Sequence, residues 1–156
     1  MPYRICKVFE IESGHMLFKH PSLCRFPHGH SRRVEVVISS SRLDAMDMVC
    51  DFKTIKLALS EYMKKFDHAM VVNSDDPIAK SLDPVGERVI ALPSTDPTTE
   101  VLAKLFFDYL RDQMVSGRTW SDERGNEYRF PPGVTLERVR VWETSTSWGE
   151  FSPDGA

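Results

Sequence analysis

The chain has 156 residues, of which 41% are hydrophobic and 28% are charged, and its formal net charge is −3. This length suffices for one domain whose core needs no disulfide or metal, so we expect a single domain over residues 1–156. The slight negative charge argues against a nucleic-acid-binding surface and against an anionic membrane as partner. No apolar run approaches the length of a transmembrane helix, so no membrane association is predicted.

Cysteine usage and the N-terminal residues favour a cytoplasmic location. The three cysteines include no Cys-x-x-Cys pair, and their number is odd, which does not suit a disulfide framework. Residues 1–5 lead into no long apolar core and no small-residue cleavage site, so no signal peptide is predicted. We expect Cys6 and Cys50 to pack in strands as small apolar residues.

The first predicted elements are two strands, at residues 3–13 and 32–39. In the second strand, three apolar side chains share one face and alternate with polar positions: Val34, Val36 and Ile38. If the extended backbone reaches back to His28, then His28 and His30 lie on that same face. The pattern would therefore put two imidazoles at the mouth of a packed sheet.

Two helices follow the strands. Asp51 is the predicted N-cap of a helix that runs to about Phe66, because apolar residues recur every three or four positions along it. The second helix is predicted to start near Thr98, with Glu100 in its first turn, and to stop before Gly117.

The remaining segments complete an α+β order of strand, strand, helix, helix, strand, strand. A long connection over residues 77–97 contains one short extended run at 88–92. Residues 119–130 resemble a polar hairpin, which could be either a lid or a surface elaboration. The closing strands are predicted at 136–143 and 148–151.

Three histidines and a cysteine suggest a metal site. His28 and His30 are two apart, so in an extended chain both imidazoles point to the same side. With His15 they would form a set of three neutral imidazoles and an open fourth position, which is typical of catalytic zinc. A thiol near a divalent cation ionises more easily, which would make Cys24 a usable base or nucleophile. A lone His-x-His pair is more often a surface feature; the third histidine and the cysteine favour the metal interpretation.

Two further positions could carry chemistry. Asp67 precedes His68 where the first helix ends, and a carboxylate beside an imidazole suits proton transfer. Helix C-termini also favour histidine for electrostatic reasons alone. Glu143 shares a strand face with Val139 and Val141, so this anion needs a partner such as a planar ring edge with two N–H donors. The alternative is a strand-end glutamate that bends out to solvent.

These residues occur in motifs whose order and spacing resemble the 6-pyruvoyl-tetrahydropterin synthase and 6-carboxy-tetrahydropterin synthase family. The matching segments are FEIESGH (9–15), CRFPHGH (24–30), MVCDF (48–52), FDH (66–68), PTTE (97–100) and WETST (142–146). The resemblance implies the tunnelling fold, an antiparallel four-stranded sheet with two helices on one face. It also implies a homo-oligomer, in which three subunits close a barrel, two rings commonly form a hexamer, and active sites lie between subunits.

The resemblance also implies the chemistry. The substrate would be the small molecule 7,8-dihydroneopterin triphosphate, and bound zinc would lower the pKa of a C–H or O–H group on its side chain. The residues carried over are the zinc ligands His15, His28 and His30, the catalytic residues Cys24, Asp67 and His68, and the substrate-binding residues Glu143 and Thr144. Four cations are candidates for the triphosphate site by charge alone: Lys19, Arg25, Arg32 and Arg33.

The branch of the family rests on one spacing. Three residues separate Cys24 from His28, as in the bacterial 6-carboxy-tetrahydropterin synthases of queuosine biosynthesis, which also release acetaldehyde. Members that make the pyruvoyl product tend to have a longer gap, and this product is the alternative. A non-catalytic zinc- and pterin-binding protein would need the histidines and Glu143 but not Cys24. A zinc hydrolase would give Glu143 no obvious role.

Overall fold

The computed structural model describes residues 1–153 and shows eight strands and two α-helices within them. The strands are β1 (Tyr3–His15), β2 (His28–Ser40), β3 (Ala69–Asn73), β4 (Val89–Leu92), β5 (Trp120–Ser121), β6 (Glu127–Tyr128), β7 (Thr135–Thr144) and β8 (Ser147–Phe151). The helices are α1 (Phe52–Phe66) and α2 (Thr99–Val115). Shorter 3-10 segments occur at Leu23–Arg25 and Pro77–Arg88.

One six-stranded sheet organises the chain, in the order β4-β3-β1-β2-β7-β8. Strand β2 pairs antiparallel with β1 and with β7, and β7 pairs antiparallel with β8. This arrangement confirms the predicted α+β class and its four antiparallel strands. Strands β3 and β4 extend the sheet beyond β1 in parallel. The extended run predicted at 88–92 corresponds to β4, whereas the sequence analysis does not predict β3. Its five residues are mostly buried and show no polar alternation, so periodicity gives no strand signal there.

Both helices begin and end close to the predicted positions. The Asp51 side chain accepts a hydrogen bond from the Lys53 backbone N–H at 2.8 Å and caps α1. Thr98 caps α2 through the Val101 N–H at 3.2 Å. The core lies between the helices and one face of the sheet, and its central members include Val34, Val36, Ile55, Leu59, Leu102, Phe106, Val139 and Val141.

The predicted hairpin at 119–130 is present as the antiparallel pair β5–β6. The Lys53 ammonium donates to the Asp122 carboxylate at 3.0 Å and ties the hairpin to the start of α1. Buried Trp120 packs against Phe130 beneath it. These contacts make the hairpin part of the packed structure beside α1.

Two cysteine predictions are wrong in part. Cys6 lies in β1, but on the solvent face, and it is exposed. Cys50 is buried as expected, but it precedes α1 in a turn and belongs to no strand. Burial raises the pKa of the Cys50 thiol to about 12.

Candidate metal centre

The register of β1 and β2 brings the three predicted histidines together. His15 lies directly opposite His28, and His30 lies opposite Ser13, which is two residues before His15. Alternation of side chains along both strands then puts all three imidazoles on one face. Their ring centroids are 4.5 to 5.1 Å apart. One potential ligand atom from each ring lies within 4.8 Å of the others.

Backbone carbonyls orient two of the imidazoles. His15 Nδ1 is 2.8 Å from the Pro97 carbonyl oxygen, and His28 Nδ1 is 2.7 Å from that of Phe26. Because a carbonyl only accepts, both Nδ1 atoms carry the proton and both Nε2 atoms keep a lone pair, and Arg32 Nη2 lies 3.5 Å from that of His15. His30 Nε2 is buried without a hydrogen-bond partner among the described residues. Such a set of free imidazole nitrogens fits a divalent metal and is compatible with zinc.

Burial disfavours the protonated form of His15 and His30. His15 is fully buried, and this desolvation lowers its pKa to about 4 despite the hydrogen bond to Pro97. Burial also lowers the pKa of His30, and the nearby Arg32 cation acts in the same direction. A metal ligand must be unprotonated, so this environment prepares the site for a cation at neutral pH.

Glu143 lies at the triad. It follows Val139 and Val141 on the core face of β7, as its parity predicts, and its side chain is 32% exposed. Its Oε1 atom is 3.3 Å from His30 Nε2 and 3.6 Å from His15 Nε2. Thr144, the next residue, is exposed, and its hydroxyl accepts from the Thr146 N–H at 3.2 Å in the turn to β8.

Cys24 stands apart from the three imidazole ligands. It lies in the 3-10 segment Leu23–Arg25, and its carbonyl accepts from the Leu17 N–H at 3.0 Å. Within residues 1–153, the group of potential metal ligands comprises the three histidines without Cys24. The thiol is partly exposed.

Asp67 and His68 form a pair at the end of α1. Asp67 Oδ2 is 3.1 Å from His68 Nδ1, while its Oδ1 accepts from the Glu12 N–H at 2.8 Å. That backbone hydrogen bond and His68 lower the pKa of Asp67. His68 has a φ of 57°, a left-handed conformation that is uncommon for a residue with a side chain. It lines an open cavity of about 480 Å³ together with His30.

Arg32, a candidate triphosphate contact by charge, lies inside the site. The residue is only 1% exposed, so it is not the solvent-exposed cation that a charge argument assumes. It donates to the Thr99 hydroxyl at 3.1 Å, and Nη2 lies 3.3 Å from His15 Nδ1. Its strand parity with His30 was the available signal that it points into the site.

Asp96 is a second residue that the sequence did not single out. Its carboxylate accepts from the Phe18 and Lys19 N–H groups at 3.0 and 2.8 Å and from Asn73 Nδ2 at 2.9 Å. It therefore joins the end of β3 to the loop that leads to Cys24. No local sequence pattern identifies it, because its partners are distant in the chain.

The described residues also contain a larger cavity of about 860 Å³, between the C-terminal half of α2 and residues 129–136. It is mostly apolar and includes none of the predicted site residues. The histidines are the stronger candidate for a reactive site, because converging polar groups, not cavity size, mark such a site.

Sequence comparison identifies the family. The family model described as 6-pyruvoyl tetrahydropterin synthase matches residues 4–154. The chain belongs to this family. It is 29% identical to the 6-carboxy-5,6,7,8-tetrahydropterin synthase of Aquifex aeolicus, over 99% of this chain and 100% of that protein. It is 31% identical to the protein of the same name from Synechocystis, over 96% of this chain and 93% of the relative. The chain is thus a pterin synthase of the lyase type.

Solved structures confirm the tunnelling fold. An uncharacterised protein from Wolinella succinogenes superposes with a TM-score of 0.78 at 20% identity, covering 99% of both chains. The 6-pyruvoyl tetrahydropterin synthase of Plasmodium falciparum gives 0.66 at 15% identity, covering 96% of both chains. At these identities the similarity establishes the fold alone. Between residues 1 and 153, no helix is both long enough and apolar enough to cross a membrane.

Proposed function

We propose that this protein converts 7,8-dihydroneopterin triphosphate to 6-carboxy-5,6,7,8-tetrahydropterin, with loss of triphosphate and acetaldehyde, and that the reaction depends on zinc. The observation that carries the proposal is the set of three buried or half-buried imidazoles whose potential ligand atoms lie within 4.8 Å of one another, two of them oriented by backbone carbonyls. The names of the relatives favour the carboxy product, as does the spacing between Cys24 and His28. The corresponding pathway is queuosine biosynthesis, and the free thiols favour the cytoplasm.

His15, His28 and His30 would hold the metal. Zinc bound there would supply Lewis acidity that makes a C–H or O–H group of the substrate side chain more acidic. The Pro97 and Phe26 carbonyls fix the orientation of two ligands, which limits the reorganisation needed for binding.

Cys24 is the proposed proton-abstracting group. Its thiol lies outside the histidine group and stays available for proton transfer. His68 is the proposed partner acid and base, because the Asp67 carboxylate, 3.1 Å from its Nδ1, orients the imidazole. Glu143 is the proposed anchor for the N–H edge of the pterin ring, with Thr144 beside it.

We also propose that the active site forms between subunits of a homo-oligomer, a trimer or a hexamer. His68 and His30 line one open cavity, and Cys24 is absent from its described lining. A second copy could bring a thiol to the His68 side of that cavity. The exposed apolar side chains of Leu23 and Phe26, on either side of Cys24, are suited to such a contact.

The test is turnover of 7,8-dihydroneopterin triphosphate by zinc-loaded protein, with acetaldehyde measured and the pterin product identified by mass. We expect acetaldehyde and the 6-carboxy product. Cys24→Ala should reduce turnover at least about 100-fold and leave zinc content unchanged, since a positioned proton-transfer group contributes roughly 10²–10⁴-fold. Cys6→Ala is the matched control, because Cys6 is an exposed thiol in β1.

Other outcomes would change the proposal. A pyruvoyl product without acetaldehyde would assign the protein to the other branch. Zinc and pterin binding without turnover, unaffected by Cys24→Ala, would indicate a binding protein. Turnover that survives Cys24→Ala would remove the thiol from the mechanism.

A further inference from the structure

Glu143 approaches two of the histidines without a hydrogen bond to either. His15 Nδ1 donates to the Pro97 carbonyl, so the Nε2 atom that faces Glu143 at 3.6 Å carries a lone pair. His30 Nε2 is 3.3 Å from the same carboxylate oxygen and forms no hydrogen bond within the described residues. The His15 lone pair and the Glu143 carboxylate are both electron-rich, so a cation between them would stabilise this arrangement.

The separations are those of atoms that share one metal ion. Zinc binds imidazole nitrogen and carboxylate oxygen at about 2.0–2.1 Å, so the edge of a tetrahedron between two such ligands is about 3.3 Å. The two distances from the Glu143 oxygen, 3.3 and 3.6 Å, lie close to this value. The carboxylate oxygen is therefore placed to share a metal with His15 and His30, although it lies outside the close group that these two form with His28.

We infer that Glu143 is the fourth ligand of the metal in the substrate-free protein. This inference rests on the metal site of the proposed function and extends it, since the histidine triad alone leaves the fourth position open. The carboxylate also balances charge, because buried Arg32 and the N-terminal end of α2 at Thr99 already place positive charge beside the site. A neutral fourth ligand would leave that excess uncompensated.

A ligand with this placement can be exchanged. The Glu143 side chain is 32% exposed and lies at the irregularity between Trp142 and Thr144 in β7, so it has room to turn. When a planar ring with adjacent N–H donors enters, Glu143 would leave the metal and accept from the ring. Ring recognition would thereby open the fourth metal position to the side chain of the same substrate.

The direct test is a crystal structure of the zinc-loaded, substrate-free protein. We expect His15, His28, His30 and one Glu143 oxygen around the metal, with the oxygen at about 2.0–2.2 Å. Zinc on the three histidines with water or Cys24 in the fourth position would overturn the inference and leave the metal-site proposal intact. Absence of zinc from the histidines would overturn both.

Solution measurements separate ligation from general electrostatics. Glu143→Gln should weaken zinc binding at least tenfold in competition with a chromophoric chelator, whereas Glu150→Gln should change it less than twofold. Glu150 is a matched control because its side chain is similarly half-buried, at 24% exposure, and pairs with Arg138 and Arg140. A similar change in both variants would contradict ligation.

Cobalt substitution tests the exchange. Neopterin, a pterin without phosphate, should change the visible absorption of the Co²⁺-loaded protein, because Glu143 is expected to leave the metal. The Glu143→Gln variant, already lacking this ligand, should show a smaller change at saturating neopterin. An unchanged spectrum of the wild-type protein with bound neopterin would show that ring binding and metal ligation are not coupled.

Discussion

The Asp96 carboxylate offers a quantitative test of how the fold supports the site. It is the common acceptor for the Phe18 and Lys19 backbone N–H groups and for the Asn73 side-chain amide. Asp96 is 9% exposed and Asn73 is fully buried. The change Asp96→Ala would leave all three donors without this acceptor, because methyl cannot replace a carboxylate.

The expected loss of stability is about 3 kcal/mol. The Asn73 amide stays buried, and leaving one buried donor unsatisfied costs about 1–3 kcal/mol. The two backbone donors are only partly buried, so water can replace the lost acceptor and each contributes roughly 0.5 kcal/mol. For a domain of this size, about 3 kcal/mol lowers Tm by roughly 6–12 °C.

The assay is thermal unfolding at equal protein concentration, combined with alkylation of Cys24 followed by mass spectrometry. Freeing the Phe18–Lys19 backbone should accelerate Cys24 alkylation, because this loop leads to the thiol. Asp76→Ala is the control: Asp76 is also buried but accepts from the Ile78 N–H, outside the loop. Equal Tm losses in both variants, with unchanged Cys24 alkylation, would refute the reasoning.

Three further predictions follow from individual environments. Arg32→Met should strengthen zinc binding about tenfold in chelator competition, because it removes a buried cation beside His15. Arg33→Met is the control and should have little effect, because the Arg33 side chain is exposed. Equal effects of the two substitutions would contradict this explanation. The Cys50 pKa is raised from 9.0 to about 12, so its contribution to stability is complete below pH 9 and is lost as pH rises towards 12. Between pH 8 and 10 the wild-type protein should therefore lose about 1 kcal/mol more than Cys50→Ala in urea unfolding, and parallel losses would contradict the shift. Gly149→Ala should destabilise the fold by about 1–3 kcal/mol, because the new Cβ would lie 3.0 Å from the Glu100 backbone nitrogen. The control in the same urea assay is Gly86→Ala, because a Cβ at Gly86 would meet open space.

Local sequence signals predicted most of the secondary structure because the relevant forces act over a few residues. Apolar periodicity located α1 and α2, and the capping side chains Asp51 and Thr98 marked their starts. Alternation located β1, β2, β7 and β8. Strand β3 was not predicted, because it is buried over nearly its whole length and lacks the polar alternation that marks a half-exposed strand.

The sequence by itself determined which groups could bind a metal: the His-x-His spacing puts His28 and His30 on one face of any extended strand. Only the tertiary structure decided that His15 joins them, through the register of β1 against β2, and that Glu143 reaches the same nitrogens from β7. It also decided that Arg32 is buried and that Asp96 holds the Cys24 loop. These contacts link residues far apart in the chain, and strand pairing, which no local pattern encodes, brings them within hydrogen-bonding distance.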